Sequence, residues 1–518
     1  MQPSAPASSS SDPGPKKPKK RFVGTKSTKA SRTGVSAAVA NQIPQDIISD
    51  IQLNAAIKQL PSNYSFEIHK TIHHVRKNNA TMVALQLPEG LQMFACTISD
   101  IIERFTDALT VIMGDVTYGA CCIDDYTAVA LGCDMLIHYG HSCLVPMDQT
   151  MIKTLYIFVE IGVDSQHLAQ TVRLNFPDDR AIFHESLLAS EESDAQLPAG
   201  TVIGRLNHLR IEGGAADAGG STNIAQPVDS GLPPRTRLAL VSTIQFVAAL
   251  QQLKEDLTSE YTDHNPFMTP VGLLESTVSE HAPVANGQPK LWTGAYEATI
   301  PRSKPLSPGE LLGCTAPPIG DVDALIYLGD GRFHLESVMI QNPDIPAFRY
   351  DPYSKKLTRE RYGHQEMRSA RNDAVQVARK SIDSLAAAPA DENPLWGVIL
   401  GTLGRQGSFK QLQAITKQLS ASRTSIPFMP ILLSELSPAK LALFNPHIST
   451  FVQTSCPRLS IDWGYAFEKP LLTPYETAVA VGKAVGWMDD KGSSSGTYLM
   501  DFYSAGTPWA VSRVKAEF

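Results

Sequence analysis

The sequence predicts an α/β protein of three repeated domains, each a parallel sheet flanked by helices, because a strand–turn–helix unit opens three times along its 518 residues. Two further observations agree. The strands are dense in Val, Ile and Leu, as strands covered on both faces are, and each unit has a later strand running into a polar loop. Met82-Val-Ala-Leu-Gln-Leu87 reads as the first strand, with a Pro-Glu-Gly turn and an amphipathic helix over 94–106. Leu238-Ala-Leu-Val-Ser-Thr243 leads in the same way into a helix over 246–257. Trp396-Gly-Val-Ile-Leu-Gly401 passes through the turn Gly404-Arg-Gln-Gly407 into a helix over 409–419. The later strands are Cys133-Asp-Met-Leu-Ile-His-Tyr-Gly140, Val322-Asp-Ala-Leu-Ile-Tyr-Leu-Gly329 and Ile448-Ser-Thr-Phe-Val-Gln-Thr454. One supersecondary unit recurring this often marks an internally repeated architecture.

The stretches between the units set the boundaries. A disordered basic tail is expected over 1–45, and α/β domains over 46–212, 235–392 and 393–485. The Gly/Ala/Ser/Pro-rich residues 213–234 read as a linker, and 486–518 as a C-terminal extension whose last part, 497–518, is a short appendage. Residues 46–60 have helical spacing, 286–308 read as an insertion or long loop, and 359–388 as a long helix.

Composition narrows the class. Hydrophobic residues make up 43% and charged residues 19%, as in a soluble enzyme, and no apolar run reaches the ~18 residues of a membrane span. No export signal is evident at the N-terminus, so a reducing, cytoplasmic setting is expected. The seven cysteines then read as thiols or metal ligands and not as a disulfide frame. Eight Lys and Arg against one Asp give residues 1–35 a charge of +7, which leaves −14 on the remainder of a chain whose total is −7. An acidic body argues against direct nucleic-acid binding. The Lys-Lys-Pro-Lys-Lys-Arg run at 16–21 resembles a nuclear-import or ribosome-touching signal, but a solvated tail is the preferred reading, since such a segment cannot bury a core.

In parallel sheets, ligands bind beyond the carboxyl ends of the strands. Three loops there carry a cysteine: Tyr118-Gly-Ala-Cys121, Leu312-Gly-Cys314-Thr and Thr454-Ser-Cys456-Pro. Cys121, Cys314 and Cys456 match no local zinc or ferredoxin spacing, and a single loop cysteine is more often filler. Their equivalent placement in three units reverses that preference and fits a pseudo-threefold arrangement around a central cluster. Three soft thiolates suit an iron–sulfur cluster with one open iron, or zinc. Cys122 is an alternative to Cys121 on these grounds. Cys96 reads as core on the apolar side of the first helix and Cys133 as packing. Cys143, near His138 and His141, is the rival ligand. Two polar loops could hold a small anion: Gly404, Arg405, Gln406 and Gly407 at a helix start, and Arg332 with His334 in Gly329-Asp-Gly-Arg-Phe-His334.

Gly114-Asp-Val-Thr-Tyr-Gly-Ala-Cys-Cys-Ile-Asp-Asp125, Tyr327-Leu-Gly-Asp-Gly-Arg-Phe-His-Leu-Glu-Ser337 and Gly404-Arg-Gln-Gly407 closely resemble subunit 1 of the eukaryotic 2-(3-amino-3-carboxypropyl)histidine synthases, the family that opens diphthamide biosynthesis. The resemblance covers roughly 46–480, the span of the repeated units. It implies three similar domains, each giving one cysteine to a 4Fe–4S cluster: Cys121, Cys314 and Cys456. Cys122 occupies a place where relatives can carry Asp, which favours Cys121. The chain lacks the Cys-x-x-x-Cys-x-x-Cys run of ordinary radical enzymes, as the family does. The implied reaction is a non-standard radical transfer of the 3-amino-3-carboxypropyl group of S-adenosylmethionine to C2 of a histidine in translation elongation factor 2, leaving methylthioadenosine. The implied partners are a homologous second synthase subunit in a heterodimer, elongation factor 2 as substrate, and a small metal-binding electron carrier with its reductase.

Two other readings compete: a non-catalytic three-repeat scaffold with a structural metal, and a zinc hydrolase, for which no His-rich ligand set is evident. Deleting residues 1–35 is expected to leave iron content and turnover of the purified protein unchanged, because nothing there can pack or ligate. A large fall in turnover at physiological salt would instead give the tail a docking role.

Overall fold

The computed structural model describes residues 43–114, 123–140, 144, 145, 147–195, 234–261, 291–385, 395–488 and 496–518. The basic tail, the linker before Pro234, Cys121, Cys122 and Cys143 therefore lie outside the described residues.

The fold rests on three sheets. The first unit holds β1 (Tyr64–Ser65), β2 (Met82–Gln86), β3 (Leu109–Ile112), β4 (Met135–Tyr139), β5 (Lys153–Ile157) and β6 (Glu160–Ile161). Strands β3-β2-β4-β5 form an all-parallel sheet, while β1 and β6 make a small antiparallel pair. Next come β7 (Arg237–Ser242), β8 (Glu297–Thr299), β9 (Ala324–Leu328), β10 (Ala347–Asp351) and β11 (Lys356–Glu360). They pair as β11-β10-β9-β7-β8, parallel except at β10–β11. The last sheet, from β12 (Leu395–Gly401), β13 (Phe428–Leu433), β14 (Ile448–Gln453) and β15 (Leu471–Leu472), is parallel throughout, in the order β13-β12-β14-β15. Counted from its own first strand, every sheet contains the order 2-1-3-4. That order reverses between its first and third strands, so each sheet has a switch-point crevice at β2/β4, β7/β9 or β12/β14.

The apolar strands are explained by cover on both faces. Leu238 and Leu240 of β7 join one cluster with Phe176 and Leu253, whereas Ala239 and Val241 face another that continues through Trp396 and Val398 of β12. Ile399 turns the opposite way, toward Ile431 and Phe451. The helix Ser165–Asn175, although it follows the first sheet in sequence, packs Leu168 and Val172 against the second. Its Arg173 is fully buried and donates to four carbonyls: Trp292 O at 3.1 Å, Gly294 O at 2.7 Å, Asp256 O at 2.7 Å and Ser259 O at 2.8 Å.

Several expectations are corrected. Residues 46–60 form two short helices, Gln45–Ile48 and Ile51–Ile57, separated by Asp50, whose carboxylate caps the second by accepting from Gln52 N and Leu53 N. The stretch read as an insertion supplies β8 to the second sheet. The long helix begins at His364, because Arg359 and Glu360 belong to β11. The C-terminal appendage is core: Tyr498, Met500, Phe502 and Trp509 are buried, and the helix Pro508–Lys515 caps itself through Thr507. Cys96 is exposed, since the helix Ala95–Phe105 buries the stripe Ala95, Ile98, Ile102 and Phe105 and leaves its neighbour outside. Cys133 packs with Met113, Ile123 and Leu136 as expected.

A buried ion pair joins Arg371 to Glu476, with Nε–Oε1 at 2.6 Å and Nη2–Oε2 at 2.7 Å. Tyr498 Oη and Thr473 N also donate to this carboxylate. Arg371→Met leaves Glu476 buried without its cation and is expected to cost ~3–5 kcal/mol in chemical denaturation. Lys440→Met, which breaks the exposed pair with Glu435, is expected to cost no more than ~1 kcal/mol in the same assay.

Candidate metal centre

Cys456 follows β14 and forms the N-cap of the helix Pro457–Trp463. Gln453, the last residue of β14, shapes this loop: its amide donates to Cys456 O at 3.0 Å and its Oε1 accepts from Ser455 N at 2.7 Å. The loop after β12 lies against it, so closely that a Cβ at Gly401 would collide with the Ser455 hydroxyl. That hydroxyl is buried and has no hydrogen-bond partner among the described residues.

Cys314 is buried in a tight turn in which Leu312 and Thr315 exchange backbone hydrogen bonds. Leu311 N donates to Ser242 O at 2.9 Å, which pins the approach to this turn at the carboxyl end of β7. Leu306, Leu312 and Tyr503 pack around the thiol, and the C-terminal segment pairs with it through Ala316 N to Met500 O at 2.8 Å.

One side chain ties these two cysteine loops together. Arg458, two residues beyond Cys456, is 3% exposed. It donates to Phe333 O at 2.7 Å, to Glu336 at 2.6 Å, to Asp462 at 2.8 Å and to Gly313 O, beside Cys314, at 3.4 Å. Its guanidinium also lies over the Phe333 ring, 4.4 Å from the centroid. Burial opposes its charge, but Asp462 and Glu336 more than offset this and hold its pKa above the ordinary guanidinium value. Burial pushes the Asp462 carboxyl up, with Arg458 only partly offsetting it.

Ile123 and Asp124 lie two and three positions beyond Cys121 in sequence, and Gln86 of β2 accepts from Asp124 N at 3.1 Å. Gly404 (φ +53°) approaches Ile123 and Asp124 so closely that any side chain there would clash. Arg405 N donates to Ile123 O at 3.0 Å, and the Arg405 guanidinium grips the buried Asp125 carboxylate at 2.6 and 2.7 Å. That hydrogen-bonded pair raises the Arg405 pKa. The first and second sheets meet through Gln245 Nε2, which donates to Gly140 O at 2.6 Å.

In the loop Gly404, Arg405, Gln406 and Gly407, the N–H groups of the last three donate to Ile123 O, Leu403 O and Gly401 O, so this loop joins the third sheet to the first. Arg332 is half exposed, with Nε 3.4 Å from Glu360 and Nη2 donating to Arg361 O at 2.8 Å. His334 follows it, its ring edge-on to Phe333. Among the described residues no three His, Cys, Asp or Glu side chains are grouped to hold a metal; Cys121 is not among them.

Residues 87–186 and 220–491 match the family described as "Putative diphthamide synthesis protein". The chain belongs to the diphthamide synthesis family. It is 44% identical over 479 residues to human 2-(3-amino-3-carboxypropyl)histidine synthase subunit 1, covering 92% of this chain and 83% of that one. The Schizosaccharomyces pombe subunit 1 is 44% identical over 507 residues, with 94% and 92% covered. Two crystal structures of Dph2 from Pyrococcus horikoshii, one with a 4Fe–4S cluster, share the fold. Each has a TM-score of 0.50, at 19% and 18% identity, and they cover 84% and 85% of this chain and 96% and 97% of theirs.

Sequence reasoning missed Arg458, Asp125 and the C-terminal brace of this diphthamide-family site. A signal was present for the first two, a charged residue within four positions of a candidate cysteine. Arg458→Met is expected to destabilise the protein by ~3–5 kcal/mol and to speed alkylation of Cys314 and Cys456. Arg458→Lys should recover part of both, read by denaturation and by mass spectrometry of the labelled thiols.

Proposed function

We propose that this chain is the catalytic subunit that transfers the 3-amino-3-carboxypropyl group of S-adenosylmethionine to C2 of a histidine in elongation factor 2, by a radical route. The observation that carries the proposal is the convergence of the cysteine loops: Arg458 joins those of Cys456 and Cys314, and Arg405 joins the third unit to the segment just after Cys121. The names of the relatives and the cluster-bearing archaeal Dph2 support it.

The donor set fits an iron–sulfur cluster, for thiolates are soft ligands and the Cys314 and Cys456 loops adjoin. When bound at Cys121, Cys314 and Cys456, the cluster supplies an electron and one open iron for S-adenosylmethionine. The protein's own residues do the rest. Arg458 and Gln453 fix the Cys456 loop, while Leu306, Leu312 and Tyr503 keep water from the Cys314 thiol. The positive groups proposed for the methionine carboxylate are Arg332 and His334, because the N–H groups at 405–407 already have acceptors.

The three sheets are read as three domains in pseudo-threefold array, with the boundaries expected from sequence. A second synthase subunit, elongation factor 2 and a reduced electron carrier with its reductase are the proposed partners, in the cytoplasm. No helix among the described residues is long and apolar enough to cross a membrane.

Single replacements of Cys121, Cys314 or Cys456 by Ala should each lower iron and sulfide content and abolish transfer of labelled aminocarboxypropyl to elongation factor 2. Cys96→Ala and Cys133→Ala should stay brown and active. Zinc in place of iron in the anaerobically purified protein would point to a structural metal and sink the catalytic reading.

A further inference from the structure

Phe333 is an aromatic ring that packs against residues of both described cysteine loops. It begins the helix Phe333–Gln341, just beyond the carboxyl end of β9 and so at the second sheet's switch point. Both described cysteine loops touch it. Its ring abuts Gly313, the neighbour of Cys314, so tightly that a Cβ there would collide with Cε1. Arg458, two residues past Cys456, lies 4.4 Å from the ring centroid and also donates to Phe333 O. Held on these sides, the residue is nevertheless 40% exposed, although its helix buries Leu335, Val338 and Ile340. The ring is thus fixed by a buried arginine and a glycine while part of it stays open.

We propose that Phe333 is the platform on which the adenine of S-adenosylmethionine stacks. The inference rests on the reading of the cysteines given above and adds to it a specificity-determining residue. Three properties of the site favour adenine. A flat base gains stacking energy from any aromatic face. The ring is held in one orientation by the guanidinium and Gly313, so little freedom is lost when a base settles on it. Its place between the Cys314 and Cys456 loops keeps the adenosine within reach of the cluster, while Arg332, the preceding residue, projects a half-exposed guanidinium from the same loop. Tyr126 is the rival: it too is half exposed and lies under an arginine, Arg405, at 4.6 Å. Its arginine joins the third sheet to the first and not the two described cysteine loops, and so it is the natural comparison.

The test is calorimetry on the anaerobic, cluster-loaded protein, titrated with S-adenosylmethionine, with methylthioadenosine and with methionine. Phe333→Leu keeps an apolar side chain against Gly313 and Arg458 but removes the ring. It should weaken both adenine-bearing ligands by about tenfold while leaving methionine binding and iron content unchanged. Phe333→Tyr should bind as the unaltered protein does. Unchanged affinity for S-adenosylmethionine in Phe333→Leu would overturn the proposal, as would a loss found in Tyr126→Leu instead. Iron loss in both Phe333 variants would make the ring a structural prop and reject the platform. If the unaltered protein holds no iron or fails to bind S-adenosylmethionine at all, the reading of the cysteines itself falls, and that outcome is distinct from every result with the variants.

Discussion

A guanidinium withdrawn from water must be met by acceptors on nearly every N–H, and Arg458 finds them on three separate stretches of chain. Glu336 and Phe333 come from the helix after β9, Gly313 from the Cys314 turn, and Asp462 from its own helix. Because the fork is planar and rigid, satisfying all of these fixes the second and third sheets against each other at their strand ends. Arg405 with Asp125 does the same between the third and first sheets, and Gln245 with Gly140 between the second and first. Each pair of sheets is thus joined by a polar link beside a switch point. The polypeptide itself holds the Cys314 and Cys456 loops together.

Much of this was legible. The three opening strands, the turns after them and their helices are local features. Each is encoded by an apolar run, a Gly or Pro and a period of 3.6, and the observed bounds differ by a residue or two. The Cys456 loop was legible because it follows an apolar strand, β14. What could not be read was long-range. Thr299 pairs with Ala239 across sixty residues, so β8, only three residues long, looked like loop. Tyr498 and Met500 carry no periodicity that announces burial. Tyr498 is covered by Tyr475 and donates to Glu476, while Met500 N donates to Gln341 Oε1, all distant in sequence.

The glycine loop after β12 shows what a motif alone leaves open. Gly404-Arg-Gln-Gly407 has the composition of an anion cradle, and a helix follows it. Whether such a loop binds depends on where its N–H groups already point. Here φ at Gly404 is positive, which turns Arg405 N toward Ile123 O, and Gly407 N folds back on Gly401 O. The same glycines that would open a nest allow the backbone of one sheet to lie against another.

Arg173 carries a consequence for how such chains diverge. Its four acceptors bracket the sequence between Ser259 and Trp292, and Tyr261 N donates to Thr293 O at 2.9 Å, so both ends of that stretch are anchored side by side. Closing a loop over fixed ends costs only about 0.6 kcal/mol more for each doubling of its length. Lineages can therefore lengthen or shorten the chain between these anchors with little effect on the sheet below. Insertions and deletions among homologues should gather there and spare Arg173.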